Sequence, residues 1–190
     1  MRFSNYILPA EKLAARIAGL LPDYVPGLST GAAEMTDLRT CWTKTARKTM
    51  EALARSSGAE PVSNDVNPFS TERQLNVVWR RGHEPVLAAT SGWGDRDEVD
   101  RSIERLLMLK MPQKVLFYSC KQWQDQVLDQ LNYALREYRH HIPGEQYIGL
   151  NVIGVERRVV ATLAEVTAEG SAPVFCPIPD SPFVWSATAR

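Results

Sequence analysis

The chemistry-bearing residues of this 190-residue chain fall into a few short stretches. The densest is Asp95-Arg96-Asp97-Glu98-Val99-Asp100, four carboxylates in six positions, a density that divalent cations use as oxygen ligands. It does not spell a calcium loop, because Val99 falls where an oxygen donor is needed and Asp100 where the turn glycine is needed. The run reads as a solvated helix start instead, with Asp95 as cap and Glu98 three residues on. His83 lies in a polar turn, while His140 and His141 are adjacent near a helix end. Capping suits that place, and neighbours pointing in different directions chelate a metal poorly. Cys41, Cys120 and Cys176 are far apart and form no CxxC pair, so neither a disulfide framework nor a zinc site is indicated. There is no GxxxxGK[ST] loop, and Gly92-Trp93-Gly94 is too short for a dinucleotide fingerprint. Ala89 and Trp93 replace the glycines that a nucleophile elbow around Ser91 requires. No cofactor and no metal site is expected from these residues.

The elements that position them follow from hydrophobic periodicity. Residues 1–38 read as an N-terminal helical extension whose stripe, Leu13, Ile17, Leu20 and Leu21, breaks at Pro22 and Pro26 and reads as either core or subunit contact. A second helix is expected over residues 37–56 from Leu38, Trp42, Ala46, Met50 and Leu53. Its other faces carry Arg39, Lys44, Arg47, Lys48 and Arg55 against the single acid Glu51. After a loop over 58–71, residues 75–79 and 85–89 read as two strands joined by a turn of hairpin length. Val99, Ile103, Leu106 and Leu107 give the next helix its buried stripe, and residues 115–119 form a continuous apolar run typical of a central strand. A long amphipathic helix over 121–138 and strands over 147–153 and 158–166 follow, with a Pro-rich tail from 172 to 190 expected to wrap the surface. The architecture expected is α/β, a mixed central sheet flanked by helices, with one strand–helix–strand crossover. The core domain is expected at 39–171, between the extension and the tail.

Lys+Arg 22 against Asp+Glu 22 leaves no net charge, which argues against a generally electropositive nucleic-acid binder but permits the local basic helix. Glu11, Lys12 and Arg16 interrupt the first apolar segment, and no window reaches the roughly 18 apolar residues of a membrane span. A cytoplasmic protein away from membranes is expected. Trp93, between two glycines, is the best candidate for an exposed functional aromatic.

Three stretches carry a family likeness: Arg73-Gln-Leu-Asn76-Val-Val-Trp79, Glu84-Pro-Val-Leu-Ala-Ala-Thr90-Ser-Gly92-Trp-Gly94, and Ser102-Ile-Glu-Arg105-Leu-Leu. In this order they resemble the core of the PD-(D/E)xK, restriction-endonuclease-like nucleases. The resemblance implies a hairpin bearing an aspartate on one strand and a glutamate, one residue, then a lysine or acid on the next. Such residues hold Mg²⁺ and orient the water that attacks a phosphodiester. The equivalent positions here are Asn76, Thr90 and Gly92, none of which keeps that chemistry. Glu84 begins the second strand, roughly 17–20 Å from Thr90 at ~3.3 Å per residue, too far to substitute. Asp95 and Glu98 are the acids near enough to replace the lost ligands.

Three functions therefore compete. The first is a non-catalytic nuclease-like module that binds nucleic acid, through Lys44, Arg47 and Lys48, or a protein partner. The second is an active Mg²⁺-dependent nuclease built on Asp95 and Glu98. The third is a structural or assembly subunit, such as a homo-oligomer, contacting through the N-terminal stripe and the aromatic tail residues Phe183 and Trp185.

Overall fold

The computed structural model describes residues 6–24, 35–63, 77–93, 96–120, 124–168 and 173–184. The elements are α1 (Ala10–Tyr24), α2 (Met35–Ser56), β1 (Glu60–Val62), β2 (Val77–Arg81), β3 (Glu84–Gly92), α3 (Arg96–Met108) and β4 (Gln113–Tyr118). They continue with α4 (Gln124–Glu137), β5 (Gln146–Ile153), β6 (Arg158–Glu165), β7 (Cys176–Pro177) and β8 (Phe183–Val184). One mixed sheet runs in the order β1-β2-β3-β4-β5-β6-β7, with β8 also pairing to β6. β1, β2 and β3 form an antiparallel meander, β3, β4 and β5 are parallel, and β6 returns antiparallel to β5.

Two parallel pairings require two crossovers where the sequence suggested one: α3 carries the chain from β3 to β4, and α4 carries it from β4 to β5. Strand alternation then sorts the side chains into two layers. Leu87, Ala89, Val115, Phe117, Ile148 and Leu150 face α1 and α2, while Ala88, Leu116, Tyr118 and Tyr147 face α3 and α4. With helices on both sides, every residue of β4 and β5 is buried, which is why these strands lack a polar face.

Three expectations need correction. The first helix does not end at Pro22. Near a C-terminus proline removes a single backbone hydrogen bond, and α1 continues to Tyr24. The expected loop after α2 contains β1, which pairs with β2 through Glu60↔Arg80 to Val62↔Val78. The tail does more than wrap the surface: β7 and β8 add to β6, and Ala161 N–H donates to Ser181 Oγ at 2.8 Å between them. Short two-residue strands in Pro-rich sequence carry no periodicity by which to recognise them.

The stripe of α1 lies in the same core as the sheet, with Leu13, Ile17 and Leu21 fully buried. It is core and not free contact surface, and Phe183 is half-buried against the same cluster. Trp185 lies outside the described residues, as do Trp123 and Asn76. Among the described residues no helix is long and apolar enough to cross a membrane. Because α1 helps close this core, Ile17→Ala is expected to cost about 2–5 kcal/mol in urea denaturation. A loss below about 1 kcal/mol would show instead that α1 is an accessory to the fold.

Candidate functional site

The meander β1-β2-β3, followed by α3 and parallel β4, brings the end of β3 to the start of α3. Thr90 and Gly92 stand two residues apart and share the α3/α4 face of β3. Thr90 is fully buried. Gly92 is pressed against the first turn of α3: a Cβ there would lie 3.0 Å from Val99 Cα and 3.1 Å from Glu98 O. Ser102 Oγ donates to Ser91 O at 3.2 Å and ties the helix down at this distance. A lysine at position 92 therefore has no path into solvent unless α3 moves. Glu98 is half-buried in that first turn, while Asn76 and Asp95 lie outside the described residues. Among the described residues, no three His, Cys, Asp or Glu side chains gather as a metal site would require.

Trp93, the candidate for an exposed functional aromatic, is buried, only 8% exposed. Its ring lies 5.9 Å from that of Trp42 and 6.3 Å from that of Phe117. Trp42 in turn packs on Gly154, where a Cβ would sit 2.7 Å from its ring. These contacts place Trp42 of α2 beside Trp93 and the Gly92 end of the sheet. Lys44 and Lys48 are exposed on α2 one helical turn apart, on the layer that covers the sheet face opposite Thr90 and Gly92, whereas Arg47 is half-buried and pairs with Glu51 at 3.8 Å.

No protein-family model matches the chain, and no curated protein matches it in sequence. Among solved structures, the cAAA-bound form of NucC from P. aeruginosa ATCC27853 is similar, with a TM-score of 0.50 and 9% identity. The match covers 90% of this chain and 84% of that one. The fold is restriction-endonuclease-like. That likeness extends over most of the chain, and it concerns backbone architecture alone.

At the other end of β4 lies a polar cluster that sequence reading missed. Lys114 and Glu145 are fully buried, and Lys114 Nζ lies 3.1 Å from Glu145 Oε1. Lys114 also donates to Tyr147 Oη at 2.8 Å, and Tyr147 donates to Glu145 Oε2 at 2.8 Å. His141 donates through Nε2 to Leu135 O at 2.8 Å, capping the end of α4, and turns Nδ1 toward Tyr147 Oη at 3.2 Å and Glu145 Oε2 at 3.4 Å. The capping role expected of the histidine pair thus falls to His141, which the cluster also draws inward. On the opposite face Gln113 donates to Leu8 O at 2.8 Å and to Gln146 Oε1 at 3.1 Å, joining the N-terminal segment to the same strand ends. The available sequence signal was a lysine heading an otherwise apolar strand.

Burial pushes the Lys114 ammonium down to about 8, against the opposing pull of Glu145. Burial also pushes the Glu145 carboxyl up, but hydrogen bonding from His141, the Lys114 charge and the Tyr147 hydroxyl outweigh it and hold the group below its ordinary value. Burial next to Glu145 raises the Tyr147 hydroxyl. The cluster is an enclosed structural pin with its charges matched internally.

Removing one partner strands the other in the interior, so Lys114→Met is expected to destabilise the protein by about 3–5 kcal/mol. The double variant Lys114→Met/Glu145→Gln should recover most of that loss. Urea titrations check both, and a single variant within about 1 kcal/mol of the parent would show that the pair does not stabilise the fold. Between about pH 8 and lysine's ordinary 10.5, the unfolded chain holds a proton that native Lys114 has released. This group therefore adds stability as pH rises from 8, on the order of 1 kcal/mol per pH unit, until tyrosine ionisation opposes it near pH 10. Lys114→Met should lose that rise between pH 8 and 9.5, and an unchanged slope would place the lysine's titration elsewhere.

Proposed function

We propose that this chain is a nuclease-like domain that acts by binding and not by cleavage, with nucleic acid as the first ligand to test. The packing at Gly92 carries the reading. The strand position that would supply a lysine is filled by the backbone of α3, and Thr90, two residues earlier, is a buried neutral side chain. Lys44 and Lys48 support the nucleic-acid version, because they stand exposed one turn apart on α2 and can lie along a phosphate backbone. The neighbouring NucC structure is a cAAA-bound form, so in that protein the fold accommodates a bound ligand.

A second reading has a specific observation in its favour. Glu98 lies in the first turn of α3 with its backbone carbonyl against Gly92, so an acidic residue sits in the chain segment next to the ligand position that the family pattern would use. On that reading Asp95 and Glu98 hold Mg²⁺ and the chain cleaves.

Incubation of plasmid and labelled single-stranded DNA with the protein and Mg²⁺ or Mn²⁺ separates the two. Binding without cleavage predicts no product above the protein-free control. Metal-dependent product that disappears in both Asp95→Ala and Glu98→Ala would establish the nuclease reading. Filter binding at two salt concentrations tests the ligand. Lys44→Glu/Lys48→Glu should weaken DNA binding by roughly tenfold or more and reduce the slope of log K against log salt by about 2. Parent protein that binds DNA no better than an inert control would remove nucleic acid and leave a protein partner.

A further inference from the structure

α3 and α4 lie side by side on the sheet face away from α1 and α2, and the seam between them is open. It forms a groove of about 530 Å³, within the range of roughly 300–1,000 Å³ common for ligand clefts. Ile103, Leu107 and Ala134 make an apolar floor. Tyr133 stands on the wall with 62% of its surface exposed, an unusual exposure for an aromatic side chain that no neighbour requires.

The rim is acidic. Asp100, Glu104 and Glu137 surround the floor, and among the described residues none of them makes an ion pair within 4 Å. Arg96, the cation of the rim, is held by the side chain of Gln130. Lys110, at the Tyr138 end, donates to the Tyr138 hydroxyl at 2.9 Å and to His140 O. Partial burial raises the Asp100 carboxyl, and the like charges of Glu104 and Asp97 add to that while Arg96 opposes it. A cation placed among these carboxylates would therefore relieve repulsion as well as pair with them.

The geometry points to this groove as a docking site for a lysine- or arginine-bearing amphipathic peptide segment of a partner protein. Its apolar side chains would cover Ile103, Leu107 and Ala134, and its cations would meet Asp100, Glu104 and Glu137. Nucleic acid is repelled by the same rim, so this face is separate from the α2 face on which DNA binding is proposed, and neither depends on the other. A second copy of the chain is a poorer occupant. Its basic helix α2 exposes Lys44 and Lys48, but Met50 and Leu53 are fully buried in the core, leaving no apolar side chains of that stripe to fill the floor.

Fluorescence anisotropy of the full chain with a labelled 14-residue helical Leu/Lys peptide tests this, with a Leu/Glu and a Ser/Lys peptide as comparisons. Saturable binding of the Leu/Lys peptide alone is expected. Asp100→Asn/Glu104→Gln/Glu137→Gln should weaken it by roughly tenfold, and Tyr133→Ser should weaken it further. Asp125→Asn/Asp129→Asn, exposed on α4 and outside the groove lining, should leave binding within about twofold of the parent. Equal binding of the Ser/Lys peptide, equal loss in the Asp125/Asp129 control, or no binding of the Leu/Lys peptide overturns the proposal. Self-association of the chain on sizing that is abolished by the triple variant would also overturn it, by making a second copy the occupant.

Discussion

The structure depends on a pair of strands buried from both sides. β4 and β5 have helices over each face, so their side chains have no solvent edge to reach, yet β4 begins with Gln113 and Lys114 and β5 follows directly on Glu145. Buried polar groups are tolerated where they pair with one another, and these pair in register, although Gln113 Oε1 is left without a hydrogen-bond partner. Gln113 pairs with Gln146 on one face and Lys114 with Tyr147 on the other, as the parallel ladder places them. A shift by one residue would put the lysine on the α1 face, away from both Glu145 and the Tyr147 hydroxyl. The cluster therefore constrains register as well as stability. The far end of the same pair is closed by Asn151, which donates to Cys120 O and accepts from Cys120 N–H.

From this pair outward the remaining order follows. α3 and α4 are crossover helices and must lie over the face that their strands leave, which gives the second layer its contiguous apolar contacts. α1 and α2 precede the sheet in sequence and close the other face, and Tyr6 and Gln113 fasten the N-terminal segment to the strand ends. The N-terminal segment, expected from sequence to be an extension, is thus bonded to the innermost strands of the fold.

Much of this order was legible because it rests on local periodicity. The helical stripes of α2, α3 and α4 and the apolar runs of β3, β4, β5 and β6 each announce themselves within a short window. What escaped was non-local. β1, β7 and β8 exist as strands because neighbours offer edges to pair with, and two or three residues hold too little pattern to reveal that. The ion pair of Lys114 and Glu145 joins residues 31 positions apart, and neither side chain is distinctive in sequence. Thr90 and Gly92 could be read directly from the sequence, but their packing could not. That Gly92 is held against the backbone of α3 is a tertiary fact.

The balance of charges also takes on a different meaning once folded. The chain carries equal numbers of acids and bases, but the fold separates them: Lys44 and Lys48 lie on α2, and Asp100, Glu104 and Glu137 lie across the sheet on α3 and α4. Screening over about 8 Å at physiological salt leaves two such faces nearly independent of each other. The molecule then presents one basic and one acidic surface, and zero net charge describes neither. Asp100, Glu104 and Glu137 stand over an apolar groove on the helical layer, across the sheet from α2.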